Sequence, residues 1–198
     1  MKGKVLLLGF GMQGKAALHD LVRSENVSSV TVVDVNPNLD KELQKYNTSK
    51  VKHFTLDFNK EKEEVLELMG ESDVVVALLP SKYTIQALQM TVEASVHHVS
   101  ANYFNAKGEE NRKELKRLND IAKGKGLMLL SEFGMDPGLD LIMAKKAVEE
   151  FDEVYEFKSY GAGFPELSAA NNPIKYKFTW SVVGVMLSYF REATVIKD

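Results

Sequence analysis

Val5 to Gly14 reads VLLLGFGMQG, and this stretch decides how the chain folds. An apolar run empties directly into Gly9, Gly11 and Gly14, the spacing of a dinucleotide-binding turn between a strand and a helix. In such a turn the first glycine permits the sharp bend and the second lets the backbone approach a pyrophosphate. The third lets the helix pack closely on the sheet. The helix N-terminus adds unpaired N–H groups and a partial positive charge for the anion. Gly9, Gly11, Met12, Gln13 and Gly14 are therefore the candidate phosphate-binding residues. A lone GxGxxG also describes a glycine-rich turn that binds nothing, so its surroundings decide.

The first of those surroundings is Asp34, which closes a second apolar run, VTVVD, 20 residues after Gly14. There the fold places an acid on the adenosine ribose, where a carboxylate accepts from both hydroxyls and repels a 2′-phosphate. Val35, Asn36 and Pro37 follow, with no Arg or Lys at once. Asp34 and Val35 join the candidate cofactor residues, and NAD is expected in preference to NADP. A solvated strand end is the structural alternative for Asp34.

Composition bounds the rest. With 198 residues the chain is long for one compact domain and short for two. A net charge of −3 without a basic stripe gives no general attraction to nucleic acid or to an anionic membrane. The absence of cysteine excludes disulfides and thiolate chemistry. His97 and His98 are adjacent, so on a strand they face opposite ways, and no metal site is expected. The apolar run Val5 to Leu8 is too short for a signal-peptide core or a membrane span. A soluble cytoplasmic protein is the expectation.

Onward from the glycine turn, short apolar runs alternate with helical periods. Leu18, Leu21 and Val22 share a helix face, and strands are expected at Val30–Asp34, Lys52–Asp57, Asp73–Pro80, His97–Ser100 and Leu127–Ser131. Helices are expected between them, one carrying Val65, Leu66, Leu68 and Met69, others at about Ile85–Ala94 and Glu109–Lys123. Nearly all-apolar strands alternating with helices mark an α/β fold, a doubly wound parallel sheet covered on both faces. This dinucleotide-binding domain is expected to span residues 1–132. Leu79 and Pro80, at the carboxyl end of the fourth strand, line the crevice where ligands bind in open α/β sheets.

Residues 133–198 differ in character and are expected to begin an α+β substrate-binding and dimerisation domain. Asp136 suits a helix N-cap and Pro137 a first helical position, ahead of an amphipathic helix to about Glu150. Val154–Tyr160 alternates like a strand, Gly161–Pro173 is a Gly, Pro and Asn-rich loop, and Tyr176–Ser181 precedes another apolar helix. So few residues bury little core alone, and their density of aromatic side chains leads us to expect a homodimer.

Taken in order, GFGMQGKAALHDL, SANYFNAK, EFGMDPGLD, SYGAGFPELSAANNP and YKFTWSVVGV resemble the saccharopine dehydrogenase family, especially its glutamate-forming saccharopine reductases. The likeness runs in register over essentially the whole chain, and family members are considerably longer. It implies oxidation of the secondary amine of saccharopine by a nicotinamide dinucleotide, with water then releasing glutamate and aminoadipate semialdehyde. It also implies that the chain stops inside the substrate domain, so that little turnover is expected from it alone. Related lysine and carboxyspermidine dehydrogenases share part of the wording, and a non-catalytic nucleotide-binding module is the reading from another functional class.

The resemblance also implies particular residue roles. Tyr103 and Asp136 match positions lining the reacting centre, as catalytic and substrate-binding residues. A phenol donates or accepts a hydrogen bond, and a carboxylate shuttles a proton or holds a cationic amine. Asp57 is implied to reach the adenine. Tyr176 and Lys177 match a segment near substrate, where Lys177 would pair with a carboxylate of an amino-acid substrate, and Gly163 opens the loop that would discriminate among amines. The chain departs from the family at Ser81 and Thr84, where Tyr and His are common.

Overall fold

A computed structural model describes residues 2–46, 49–102, 109–161, 163–177 and 182–190. The chain divides into two compact units, Met1–Val154 and Tyr155–Asp198.

In the first unit β1 (Gly3–Leu8) lies at the centre of a six-stranded sheet ordered β3-β2-β1-β4-β5-β6. The others are β2 (Val27–Asp34), β3 (Val51–Thr55), β4 (Val74–Ala77), β5 (His97–Ser100) and β6 (Leu129–Leu130), and every pairing is parallel. Alternation along β1 sends its side chains to both faces, and both are covered. Leu6 and Leu8 pack with Val65 and Met69 of α3 (Lys62–Gly70) and with Ala87 and Met90 of α4 (Thr84–Ala94). Val5 and Leu7 pack with Leu18 of α1 (Met12–Leu21) and with Leu39 and Leu43 of α2 (Leu39–Leu43). Beyond β4 and β5, Leu88 and Val92 of α4 meet Leu118 and Ala122 of α5 (Glu109–Gly124). Leu6, Leu7 and Leu8 are wholly buried. At about 1.5–3 kcal/mol for each such side chain, the strand that carries the glycine turn is also the best anchored.

The doubly wound parallel sheet is thus the observed fold of this unit. The strand order reverses at β1, whose neighbours are β2 and β4, so the chain leaves toward opposite edges there and a crevice opens at their carboxyl ends.

Two local expectations are corrected. The helix after the Asp-Pro pair, α6 (Leu139–Val148), begins at Leu139, and Asp136 is not its N-cap. The Gly134 N–H donates to the Pro137 carbonyl at 2.8 Å and the Leu139 N–H to the Gly134 carbonyl at 2.9 Å. Those bonds fold Met135–Pro137 into a turn ahead of the helix. Gly138, at φ 141°, closes the turn so tightly that a Cβ there would overlap the Gly134 backbone. The capping bond comes instead from within the helix, where Asp140 Oδ1 accepts from the Gly138 N–H at 2.7 Å. Nor does α6 bury a face: Leu139, Leu141, Ile142 and Met143 are all exposed.

The second correction is Val154–Tyr160, which is irregular and exposed throughout. Alternation makes a strand only where a neighbour supplies the ladder, and no strand is found among the described residues of the second unit. Its described residues hold one short 3-10 turn at Leu167–Ala169 and α7 (Val182–Ser188). Among the described residues no helix is long and apolar enough to cross a membrane.

Candidate functional site

The three glycines of the turn have three different physical reasons. Gly9 adopts φ 93°, and a Cβ on it would stand 2.6 Å from the Leu78 carbonyl oxygen, so the β1 and β4 loops meet there backbone to backbone. A Cβ on Gly14 would overlap the Gly9 carbonyl, because the first turn of α1 lies directly on the loop. Gly11 is the exception, since a Cβ there would meet nothing within 4 Å. Its lack of a side chain serves no packing need and keeps open the space above the helix N-terminus. No side chain caps α1 at Gly11, and helical geometry leaves the first-turn N–H groups without an intrahelical acceptor. An open cradle at the positive end of a 10-residue helix suits a diphosphate.

Asp34 ends β2 beside this cradle. Its Oδ2 accepts from the Phe10 N–H at 2.6 Å and its Oδ1 from the Asn36 N–H at 2.8 Å, so the carboxylate ties the strand end to the glycine turn. Each oxygen has two lone-pair sites, which leaves one on each for a ribose hydroxyl. Met12 and Val35 stand exposed at 75% and 61%, apolar surfaces of the sort a flat base or ring covers. Below Asp34, Asn36 Nδ2 donates to Glu42 Oε1 at 2.9 Å, and Lys15 Nζ pairs with Glu42 Oε2 at 2.5 Å. Lys15 holds the Glu42 carboxyl below the ordinary range, with burial opposing and Asn36 reinforcing.

Across the crevice, the Leu79 carbonyl accepts from Asn102 Nδ2 at 2.7 Å, which binds the β4 end to the β5 end. Pro80 leads into a short 3-10 turn at Ser81–Tyr83. The Thr84 hydroxyl donates to the Ser81 carbonyl at 2.8 Å and is buried, so this departure from the family pattern serves the start of α4. The turn bearing Asp136 belongs to the same edge. The Phe133 N–H donates to the Ser100 carbonyl at 2.9 Å, and a Cβ on Gly134 would lie 3.9 Å from that of Ala101. Asp136 itself is exposed at this carboxyl edge. Tyr103 lies outside the described residues.

Asp57 has a local task. Its Oδ1 accepts from the Asn59 N–H at 2.9 Å, and Oδ2 lies 3.7 Å from Lys60 Nζ in the turn before α3. His97 and His98 do face opposite ways. His97 is exposed and its Nδ1 accepts from the Met128 N–H, whereas His98 is buried against the Thr91 hydroxyl at 3.1 Å. Gly163 and Lys177 belong to the second unit, where both are exposed. There Asn172 clasps the backbone of Tyr176, donating from Nδ2 to its carbonyl at 2.7 Å and accepting from its N–H at 3.3 Å. The sequence reading missed Asn102, Asn172, Lys15 and Glu42, all polar residues whose partners periodicity does not reveal.

A family model described as the saccharopine dehydrogenase NADP binding domain matches residues 5–130, and one described as the saccharopine dehydrogenase C-terminal domain matches residues 134–198. The chain belongs to the saccharopine dehydrogenase family. It is similar to mitochondrial alpha-aminoadipic semialdehyde synthase of Bos taurus, 29% identical over 98% of this chain and 20% of that protein. It is also similar to saccharopine dehydrogenase (NADP(+), L-glutamate-forming) of Saccharomyces cerevisiae, 27% identical over 100% of this chain and 43% of that protein. The apo structure of the L-Glu forming saccharopine dehydrogenase from Saccharomyces cerevisiae superposes with a TM-score of 0.73 at 26% identity, covering 93% of this chain and 40% of that one. The chain thus spans between 20% and 43% of the length of these relatives. Both the matching domain and the yeast relative are named for NADP, so a nicotinamide dinucleotide is supported while the expected preference for NAD is not.

Proposed function

We propose that this chain binds a nicotinamide dinucleotide, NAD in preference to NADP, for an oxidoreductase of lysine metabolism acting on the secondary amine of saccharopine. The observation that carries the reading is the open cradle at Gly11 beside the Asp34 carboxylate. When bound, the dinucleotide supplies the two-electron acceptor for the hydride on the carbon bearing the amine. The first-turn N–H groups of α1 hold its diphosphate, and Asp34 takes the adenosine ribose. Gly9 and Leu78 bring the β1 and β4 loops together, which sets the floor under the nicotinamide end. Asp136, at the carboxyl edge of the same sheet, is suited to hold the cationic amine or accept its proton, with Tyr103 as its partner in that task. Lys177 and the loop at Gly163 are suited to the substrate's carboxylates. The assembly that fits this reading is a homodimer joined through the aromatic second unit.

Calorimetry tests the nucleotide reading. NAD(H) is expected to bind more tightly than NADP(H), and Asp34→Ala to erase the preference. Tighter NADP(H) binding by the unmodified chain would overturn the choice of NAD, and binding of neither nucleotide would overturn the function.

A further inference from the structure

We infer that Glu42 is a specificity-determining residue, which closes the adenosine corner to a 2′-phosphate by holding the Lys15 side chain. The inference rests on the reading that Asp34 marks the adenosine ribose. Three separate elements converge below that carboxylate: Lys15 from α1, Asn36 from the loop after β2, and Glu42 from α2. Asn36 links the two acids, its N–H on Asp34 Oδ1 at 2.8 Å and its Nδ2 on Glu42 Oε1 at 2.9 Å. The other Glu42 oxygen takes Lys15 Nζ at 2.5 Å.

A 2′-phosphate needs a cation to meet it and no fixed anion facing it. Here Lys15 is the ammonium bonded to a carboxylate, and it is already matched by Glu42, while Lys45 acts on Glu42 only through space. Lys15 is well placed for the opposite role, since its Nζ lies 5.7 Å from the centre of the Phe10 ring, and the Phe10 N–H binds Asp34. The Lys15 and Glu42 side chains are 40% and 32% exposed, so the pair contributes little to stability and the fold does not depend on it. Its conspicuous consequence is electrostatic: removing the Glu42 charge releases a lysine beside the ribose position.

The test is the ratio of NAD(H) to NADP(H) dissociation constants, measured by calorimetry for the unmodified chain, Glu42→Gln, and Glu42→Gln combined with Lys15→Gln. Thermal unfolding confirms that each variant is folded. Glu42→Gln is expected to move the ratio about tenfold toward NADP(H), the worth of one charge-assisted contact in a half-exposed site. Adding Lys15→Gln is expected to cancel that shift. An unmoved ratio in Glu42→Gln overturns the inference, and a shift that survives the loss of Lys15 overturns the part assigned to the lysine. The outcome is separable from the choice of nucleotide, because that choice is read in the unmodified chain and in Asp34→Ala, whereas Glu42 is read as a change in the ratio.

Discussion

Alanine at Gly11 and alanine at Gly14 should fail in opposite ways. At Gly14 the added Cβ overlaps the Gly9 carbonyl oxygen, and that carbonyl has little room to swing aside. The Gly9 N–H is bonded to the Val33 carbonyl at 2.9 Å, and Gly9 already presses on Leu78. Alanine in an unhindered helical position would gain about 1 kcal/mol, so the overlap must exceed that gain before it registers. Overpacking against fixed backbone costs about 3 kcal/mol or more, which lowers Tm by about 10 °C in a protein of this size. At Gly11 the same methyl meets nothing within 4 Å, and the backbone there, at φ −70°, accepts any L residue. Stability should fall by only about 0.5–1 kcal/mol, the cost of exchanging a glycine N-cap for alanine. Yet the methyl stands where the diphosphate must approach the helix N-terminus. Losing two charge-assisted hydrogen bonds costs about 3 kcal/mol, a weakening of about a hundredfold. Differential scanning calorimetry of the free proteins and titration with the fluorescent reduced nucleotide read the two effects separately. A Gly11→Ala protein that binds dinucleotide as the unmodified chain does would refute the cradle. A Gly14→Ala protein of undiminished Tm would refute the account of the close approach.

Two further outcomes follow from the fold. Burial holds the His98 imidazole down to about 4, from 6.5, so between those values the unfolded chain binds a proton that the folded chain refuses. Stability is therefore full above pH 6.5 and falls as pH drops toward 4, by about 3 kcal/mol from this residue. Urea denaturation across that range, compared with His98→Gln, should show a shallower loss in the variant, and equal slopes would refute the assignment. In the second unit Tyr155, Tyr160, Phe164, Tyr189 and Phe190 are each 79% exposed or more, an apolar aromatic surface that self-association would cover. Light scattering after size exclusion is expected to give a dimer mass at micromolar concentration, and a strictly monomeric mass would refute it.

The nucleotide-binding half was legible because its signals are local and repeated. Leu6 and Leu8 alternate with Val5 and Leu7 through a strand covered on both faces, and a run of apolar letters records that environment directly. Asp34 was legible by its distance from the glycines. Asp136 was misread as a helix cap because an Asp-Pro pair before an apolar stretch satisfies the local rule for a helix start. The closure of Gly138 on Gly134 overrides that rule, and such backbone contacts leave no trace in propensity. Val154–Tyr160 failed for the complementary reason, since a strand pattern names one side of a ladder and says nothing of the other. Lys15 and Glu42 stand 27 positions apart, and only the placement of α1 and α2 on one face of the sheet joins them.

The same contrast explains why the glycine motif is persuasive in sequence yet weak as proof of binding. Its three letters are identical, but two of them are demanded by the polypeptide itself: Gly9 by the β4 loop and Gly14 by Gly9. A protein that bound nothing could need both. Only Gly11 has no internal reason to lack a side chain, so within this motif the functional content concentrates in one residue. Asp34 divides in the same manner, since its bonds to Phe10 and Asn36 would brace the turn without any ligand. What favours binding is their conjunction. The one glycine that packing leaves unexplained stands at the positive end of α1, and the carboxylate bonded to the next residue back, Phe10, keeps a lone pair on each oxygen for a ribose. Packing alone accounts for each part of the scaffold around them, and it accounts for neither the empty space at Gly11 nor its place beside that acid.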